Sequence, residues 1–297
     1  MSNAKYLKHP GMLLKKLQWQ ALYRGPRHDV TVDTANGRLT FDSRDKLIGK
    51  HLYMDRGYEI DQITRSITLL RDGGHLRGDG RGIVLDVGAN IGMICIALLR
   101  LDYFERAVAF EPGPGNFRLL MHNVRQNHLH ERITCVPYAL SSSEGHMELE
   151  LSDYNSGDHR IRSTKMRGAY REDERDTVRV SVHSLDTLLG HQRICDPDEV
   201  SMIWMDIQGH EGHFFEGARH FFAEHRVPVV SEFWPYGIAR SGMERAQYIA
   251  IASELFTHFY ARQAGVYGKR PIDDIRELFE LYAGPKQVTE AIFVRDE

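Results

Sequence analysis

A bare loop and two acidic residues follow two neighbouring apolar segments of the sequence. The first loop, "LDVGANIG", contains Asp86, Gly88, Asn90 and Gly92, and the second segment, "AVAFEP", ends with Glu111 and a proline. The two glycines lack Cβ atoms where the backbone must bend or approach a ligand closely. Their G-x-x-x-G spacing differs from the G-x-G-x-x-G loop that suits a pyrophosphate, and no phosphate-binding P-loop sequence occurs in the chain.

The second acidic residue indicates which kind of ligand this loop could bind. Glu111 stands 19 positions after Gly92, at the end of the next predicted strand. A carboxylate there can accept hydrogen bonds from both hydroxyls of a ribose, a contact that a phosphate would repel. We therefore predict a site for a nucleoside without a pyrophosphate. S-adenosylmethionine fits this description and NAD fits it less well, so an NAD-dependent oxidoreductase remains an alternative.

Candidates for acid–base chemistry follow two later apolar segments, "MIWMDI" and "VPVVSEFW". They are Asp206, His210, Glu211, His213 and Glu232. Histidine has an ordinary pKa near neutrality, which makes His210 a candidate general base. Glu211 could equally be a helix N-terminal carboxylate that the helix dipole favours. The "HEGH" order does not match the H-E-x-x-H pattern of zinc peptidases.

Asp206 and Glu232 each end a predicted strand at the same sheet edge, so they could share a divalent cation such as Mg²⁺. We nevertheless assign no metal-binding residue. Tyr154, Trp234 and Tyr236 could shape an acceptor pocket or pack in the core.

The composition is that of an ordinary soluble globular protein. With 38 basic and 41 acidic residues the net charge is -3, so we expect neither a nucleic acid nor a membrane as partner. Three separated cysteines predict neither a disulfide framework nor a structural zinc site. No segment resembles a signal peptide or a transmembrane helix, and we expect a cytoplasmic protein.

From about residue 82, short strand-like segments alternate with amphipathic helices, which predicts an α/β fold with a mostly parallel sheet. We predict seven strands, one of them antiparallel and supplied by "EAIFVRD" (Glu290–Asp296). Residues 1–80 form a predicted extension of helix, hairpin and helix, with a turn at Asn36-Gly37, that caps the site or mediates dimerisation. The main domain spans 81–297. Its insert at about 152–176 is either a solvated loop or a lid that recognises the acceptor.

Between residues 82 and 232 the sequence resembles the FkbM family of S-adenosylmethionine-dependent methyltransferases. The similarity is carried by "LDVGANIG", "FEP", "ALSSSEG", "SLDTLL", "MDIQGHEGHFFEGA" and "VVSE". It implies a class I methyltransferase (Rossmann-like) fold. Trp204 stands where relatives commonly carry lysine, two residues before the fourth-strand aspartate, so any role that this lysine has in relatives is missing or has moved to another residue. The cofactor contacts implied are Asp86, Gly88, Asn90, Gly92, Glu111, Pro112, Asn116, Ala139, Leu140, Asp206 and Gln208.

The predicted reaction is O-methylation of a hydroxyl on a small molecule or glycan, with a saccharide or a polyketide-like product as the leading acceptor. Asp206, His210, Glu211 and Glu232 are the candidate catalytic residues. Besides the oxidoreductase, a catalytically inactive nucleoside- or glycan-binding module remains open because of Trp204. A homodimer is also left open.

Overall fold

The computed structural model describes residues 10–76, 81–263 and 266–296. Its strands, in chain order, are β1 (Asp29–Thr34), β2 (Gly37–Asp42), β3 (Ile83–Val87), β4 (Arg106–Phe110), β5 (Ile133–Val136), β6 (Ala139–Leu140), β7 (Gly145–Glu150), β8 (Arg160–Ile161), β9 (Thr177–His183), β10 (Val200–Met205), β11 (Val229–Phe233), β12 (His258–Gln263), β13 (Val266–Pro271) and β14 (Thr289–Val294). Its helices are α1 (Pro10–Arg24), α2 (Ile48–Asp55), α3 (Ile60–Asp72), α4 (Met93–Arg100), α5 (Pro114–Gln126), α6 (Leu185–Gly190), α7 (Glu211–Glu216), α8 (Arg219–Glu224), α9 (Pro235–Arg240), α10 (Arg245–Leu255) and α11 (Ile275–Leu281).

The central sheet has the order β13-β12-β14-β11-β10-β3-β4-β5. Strands β11, β10, β3, β4 and β5 are parallel, so their carboxyl ends meet at one edge in that order. Both faces are buried: Ile83, Leu85 and Val87 belong to one apolar cluster with α7, α8 and α10, whereas Val84 belongs to a second cluster with α3, α4 and α5. The predicted α/β, class I methyltransferase fold is confirmed.

The sheet has one strand more than the seven predicted. The antiparallel strand β14 lies where "EAIFVRD" predicts it, between β11 and β12. The additional strand β13 pairs antiparallel with β12 at the sheet edge. Its residues are exposed or half-buried, so β13 has no alternating apolar pattern that would identify it in the sequence.

The N-terminal extension contains the predicted helix, hairpin and helix, with α2 as a further short helix. Its hairpin register pairs Thr34 with Gly37, so the loop residues are Ala35 and Asn36 and not the predicted Asn36-Gly37. Trp19 and Leu39 join the apolar cluster that also contains Ile96 of α4, so the extension is packed into the core of the main domain.

The insert at 152–176 is not a solvated loop. It contains two 3-10 turns and the short strand β8, which extends a second sheet of order β6-β9-β7-β8. Asp158, Arg160 and Glu172 are buried in this insert despite their charges. They pair with one another, which a charge count in the sequence cannot show.

Within the described ranges, no helix is both long enough and apolar enough to cross a lipid bilayer.

Candidate functional site

A cavity of about 450 Å³ opens at the carboxyl edge of the parallel strands. This volume lies in the usual range for small-molecule sites. Gly92, Glu211 and His213 are not among its lining residues. The sequence-predicted residues that line it are Asp86, Gly88, Asn90, Glu111, Pro112, Asn116, Ala139, Leu140, Asp206, Gln208, His210 and Glu232.

The two glycines of the first loop are required by contacts within the protein. Gly88 has φ +89°, and a Cβ atom there would lie 2.0 Å from the backbone oxygen of Asp206. Gly92 has φ +88°, and its Cβ would lie 2.8 Å from Leu120 Cδ1. The sequence suggested two reasons for these glycines, a sharp backbone bend or the close approach of a ligand. The bend applies to both residues, whereas a ligand does not explain Gly92, which is not part of the cavity lining.

Glu111 is fixed by the loops on either side of it. Its Oε2 accepts a hydrogen bond from Asn90 N at 2.9 Å, and its Oε1 accepts one from Gly113 N at 2.7 Å. Burial raises the pKa of Glu111 to about 8 even though both backbone bonds favour the ionised form. Each carboxylate oxygen keeps a free lone pair, so Glu111 can still accept bonds from ligand hydroxyls.

Asp86 ends β3 beside this carboxylate and is 1% exposed. Its Oδ2 accepts a hydrogen bond from Cys95 N at 3.0 Å, in the first turn of α4. Burial raises the pKa of Asp86 to about 6. Asp86 therefore anchors the helix that follows the loop while it lines the cavity.

A second pair of carboxyl groups lies across the sheet edge. The Gln208 amide donates hydrogen bonds to Asp206 Oδ1 at 2.6 Å and to Glu232 Oε2 at 3.0 Å. Burial raises the pKa of Asp206, and burial together with the Asp206 charge raises the pKa of Glu232 well above its ordinary value. The Gln208 amide thus links the two carboxyl groups, and their remaining oxygen lone pairs can accept hydrogen bonds from hydroxyls.

His210 lines the cavity, but its environment does not suit a general base. Its Nε2 lies 2.9 Å from Ser141 Oγ, and its ring stacks on His213 with centroids 4.4 Å apart. Burial, and then His213, lower the pKa of His210 to about 3. The role of His210 as general base stays a prediction, and its burial disfavours that role. Its ring instead connects the loop after β10 to the residue that follows Ala139–Leu140.

Glu211 supports the same loop from outside the cavity. Its Oε1 accepts hydrogen bonds from Ile207 N at 3.3 Å and Gly209 N at 3.2 Å. Its position at the start of α7 corresponds to the alternative of a helix N-terminal carboxylate. His213 Nε2 lies 3.1 Å from the carbonyl oxygen of Ser241 and likewise faces away from the lining.

The Glu211 carboxyl makes stability depend on pH. Burial raises its pKa to about 7 in the folded state, so its contribution is fully present below the unfolded value near 4.5 and is lost as pH rises through 7. Between pH 5 and 8.5, we expect the free energy of unfolding to fall by about 2–3 kcal/mol more in the wild type than in Glu211→Gln. Urea unfolding at both values measures this, with Glu131→Gln at an exposed site as control. Identical pH slopes for wild type and Glu211→Gln would contradict the assignment.

Several further lining residues were not among the predicted site residues. Tyr58 and Glu59 come from the extension, and Trp204 occupies the wall where relatives carry lysine. Tyr154 and Trp234 line the cavity, which is the first of the two alternatives predicted for them, a pocket wall or core packing. Tyr236 is not part of the lining; its hydroxyl donates to Glu172 Oε1 at 2.8 Å.

Arg160 forms part of the cavity wall and is 4% exposed. It pairs with Asp158, with Glu172 at 3.5 Å and with Glu150 at 3.6 Å. Its guanidinium carbon lies 4.7 Å from the ring centroid of Trp234. Because three carboxylates surround Arg160, it fixes the shape of the wall and offers little charge to a ligand, although its Nε makes no hydrogen bond.

Across the described part of the chain, no group of three or more His, Cys, Asp or Glu side chains could hold a metal ion.

Solved structures resemble the chain only distantly. Methyltransferase FkbM from Methylobacillus flagellatus is 16% identical, with a TM-score of 0.44, 96% of this chain covered and 60% of that chain. TYW2 of M. jannaschii, solved in complex with AdoMet, is 11% identical, with a TM-score of 0.42 and coverage of 92% and 89%. Trm5b from Pyrococcus abyssi is 12% identical, with a TM-score of 0.42 and coverage of 91% and 56%. This chain therefore spans about three fifths of the length of the Methylobacillus protein.

Comparison with curated proteins found no match. The family model described as the methyltransferase FkbM domain matches residues 86–265, which is more than half of the chain. This range includes the glycine loop, the four acidic residues at the sheet edge and the insert. The chain therefore belongs to the FkbM methyltransferase family.

Proposed function

We propose that this protein binds S-adenosylmethionine and methylates a hydroxyl group of a small molecule or glycan. The observation that carries the proposal is the order of acidic residues along one cavity. Glu232, Asp206, Asp86 and Glu111 end or follow the adjacent strands β11, β10, β3 and β4. With strands about 4.8 Å apart, the cavity spans about 14 Å from Glu232 to Glu111, which suits two substrates side by side.

The donor set around Glu111 fits the adenosyl group. Glu111 has free lone pairs for two ribose hydroxyls, and Pro112, Ala139 and Leu140 supply apolar surface for a base. The neighbouring Asp86 and Asp206 carboxyl groups favour a cation over a phosphate. When bound, S-adenosylmethionine supplies a methyl group activated by positively charged sulfur.

The opposite end of the cavity fits a neutral, hydroxyl-rich acceptor. Asp206, Gln208 and Glu232 present hydrogen-bond acceptors, and Trp234 and Tyr170 present ring surface on which a sugar can pack. The carboxyl groups would repel the phosphates of a nucleic acid, so this end favours a glycan or small polyol. The chain's own residues align the acceptor, and alignment can lower a barrier by roughly 7–11 kcal/mol.

One observation favours a second candidate. Trp204 is buried against the cavity where relatives commonly carry lysine. If that position is essential for turnover, the protein is a binding module that takes up the nucleoside without transferring the methyl group.

The test is calorimetry with S-adenosylhomocysteine and, separately, NADH. We expect S-adenosylhomocysteine alone to bind. Binding of NADH alone would support the oxidoreductase instead. Turnover of S-adenosylmethionine on a panel of methyl hexopyranosides separates the enzyme from the binding module.

The pH dependence of this binding tests the ribose contact. Hydroxyl donors stabilise the ionised form of Glu111, whose pKa is about 8, so binding below pH 8 requires loss of a proton. We expect the affinity for S-adenosylhomocysteine to fall roughly tenfold per pH unit from 8 to 6.5. Glu111→Gln should bind about 1.5–3 kcal/mol more weakly at pH 8 and show a flatter profile. Glu131→Gln is the control, and an unchanged profile in Glu111→Gln would remove the ribose assignment.

A further inference from the structure

The N-terminal extension contributes two polar side chains to the cavity, Tyr58 and Glu59. Both lie between α2 and α3, outside the segment that the family model matches. Their presence in the lining means that the site is incomplete without the extension.

A buried asparagine fixes this segment against the cofactor loop. Asn36 Nδ2 donates to Tyr58 O at 2.9 Å and to Met93 O at 3.1 Å, and Asn36 Oδ1 accepts from Tyr58 N at 2.8 Å. Asn36 is fully buried. The backbone of Tyr58 is therefore tied directly to the first residue of α4, which follows the glycine loop.

Glu59 adopts a backbone conformation that is unfavourable for glutamate. Its φ of +54° is left-handed, a region that glutamate rarely adopts and that costs of order 1 kcal/mol. It precedes α3 but makes no side-chain hydrogen bond to cap that helix. The strained backbone is thus not explained by capping, and the carboxyl group remains accessible from the cavity.

The groups that face Glu59 come from its own segment and from three strands. Tyr58 precedes it in the chain, and Asp206, Glu232 and Glu290 are the acidic groups whose charges act on it. Desolvation by the surrounding protein, and then the Asp206 charge, raise the pKa of Glu59 to about 7, although its side chain is exposed to the open cavity. Glu290 is itself held by Ser66, Gln62 and Tyr267.

We propose that Glu59 accepts the proton of the acceptor hydroxyl, at the cavity position in which the Asn36 contacts to the Tyr58 backbone hold it. The inference rests on the proposed function. The proton moves from the acceptor oxygen to a Glu59 oxygen, and the electron pair left behind forms the bond to the methyl carbon. The electrons of the broken carbon–sulfur bond stay on sulfur. Burial lowers the pKa of His210, and Glu211 lies outside the cavity lining, so we assign the step to Glu59 and not to these two residues.

The variant Glu59→Gln tests the proposal by two independent measurements, with Asp61→Asn on the exposed side of α3 as the matched control. First, Glu59→Gln removes a carboxyl group whose charge its surroundings disfavour. We expect its Tm to equal that of the wild type at pH 5 and to exceed it at pH 8.5. Asp61→Asn should show no such pH-dependent difference.

Second, turnover on the methyl hexopyranoside panel should fall about 10²–10⁴-fold in Glu59→Gln, with affinity for S-adenosylhomocysteine unchanged within about threefold. The wild-type rate should rise with pH through about 7, and this rise should disappear in the variant. A pH-independent Tm difference, or turnover within about threefold of the wild type, would overturn the proposal. Failure of the wild type to bind S-adenosylhomocysteine would instead refute the proposed function.

Discussion

Replacing Arg160 with methionine is expected to destabilise the protein by about 3–5 kcal/mol. Arg160 is 4% exposed and is surrounded by Asp158, Glu150 and Glu172. Methionine fills a similar volume, so the loss comes from buried carboxylates that no longer have their cation. Arg175 also pairs with Asp158, and Arg162 with Glu150. Glu172 keeps its hydrogen bonds from Tyr236 and Tyr170, but Arg240, its other cation, is 4.0 Å away. Urea unfolding at pH 7.5 measures the change.

The matched control is Arg118→Met. Arg118 makes a two-point contact with Asp29, at 2.8 and 3.0 Å, but both side chains are exposed. Its loss should cost no more than about 1 kcal/mol. The double variant Arg160→Met with Glu172→Gln should recover part of the stability, because it removes one of the unpaired charges. If Arg160→Met is no more destabilising than Arg118→Met, the insert is not held by its buried ion cluster.

The burial of charged residues in the insert could not be predicted from the sequence. Its charged residues have the composition of a solvated loop, and only the fold shows that Arg160 and its acidic partners face one another. The same limit applies to His210, because its low pKa results from burial beside His213 and Ser141. Neither neighbour can be identified from residue type and spacing, since both burial and contact depend on tertiary packing.

The acidic residues at the carboxyl edge of the sheet could be predicted, because their positions follow from the strands and not from side-chain packing. Asp86, Glu111, Asp206 and Glu232 each follow an apolar segment, and parallel strands bring such positions together whatever the loops do. Glu59 precedes a helix in the extension and follows no strand, so no periodic pattern marks it. The strand β13 was missed because an exposed edge strand needs no apolar alternation.

Alanine at position 88 is expected to destabilise the protein by about 2–5 kcal/mol, combining left-handed strain with overpacking. The φ of +89° is unfavourable for alanine, and its Cβ would lie 2.0 Å from the Asp206 backbone oxygen. Gly88 N also donates to Phe110 O at 3.0 Å, so the loop cannot move away without losing a bond to β4. Thermal unfolding with and without S-adenosylhomocysteine measures stability and affinity together.

Gly115→Ala is the control, because Gly115 lies in the first turn of α5 and a Cβ atom there would have no neighbouring atom within 4 Å. Its stability should stay the same or rise by about 0.5–1 kcal/mol. The two readouts of Gly88→Ala then separate two reasons for the glycine. If it made room only for a ligand, the variant would keep its stability and lose affinity. If the approach of Asp206 is the reason, stability and affinity fall together, because displacing Asp206 also disturbs the part of the cavity that the cofactor would occupy.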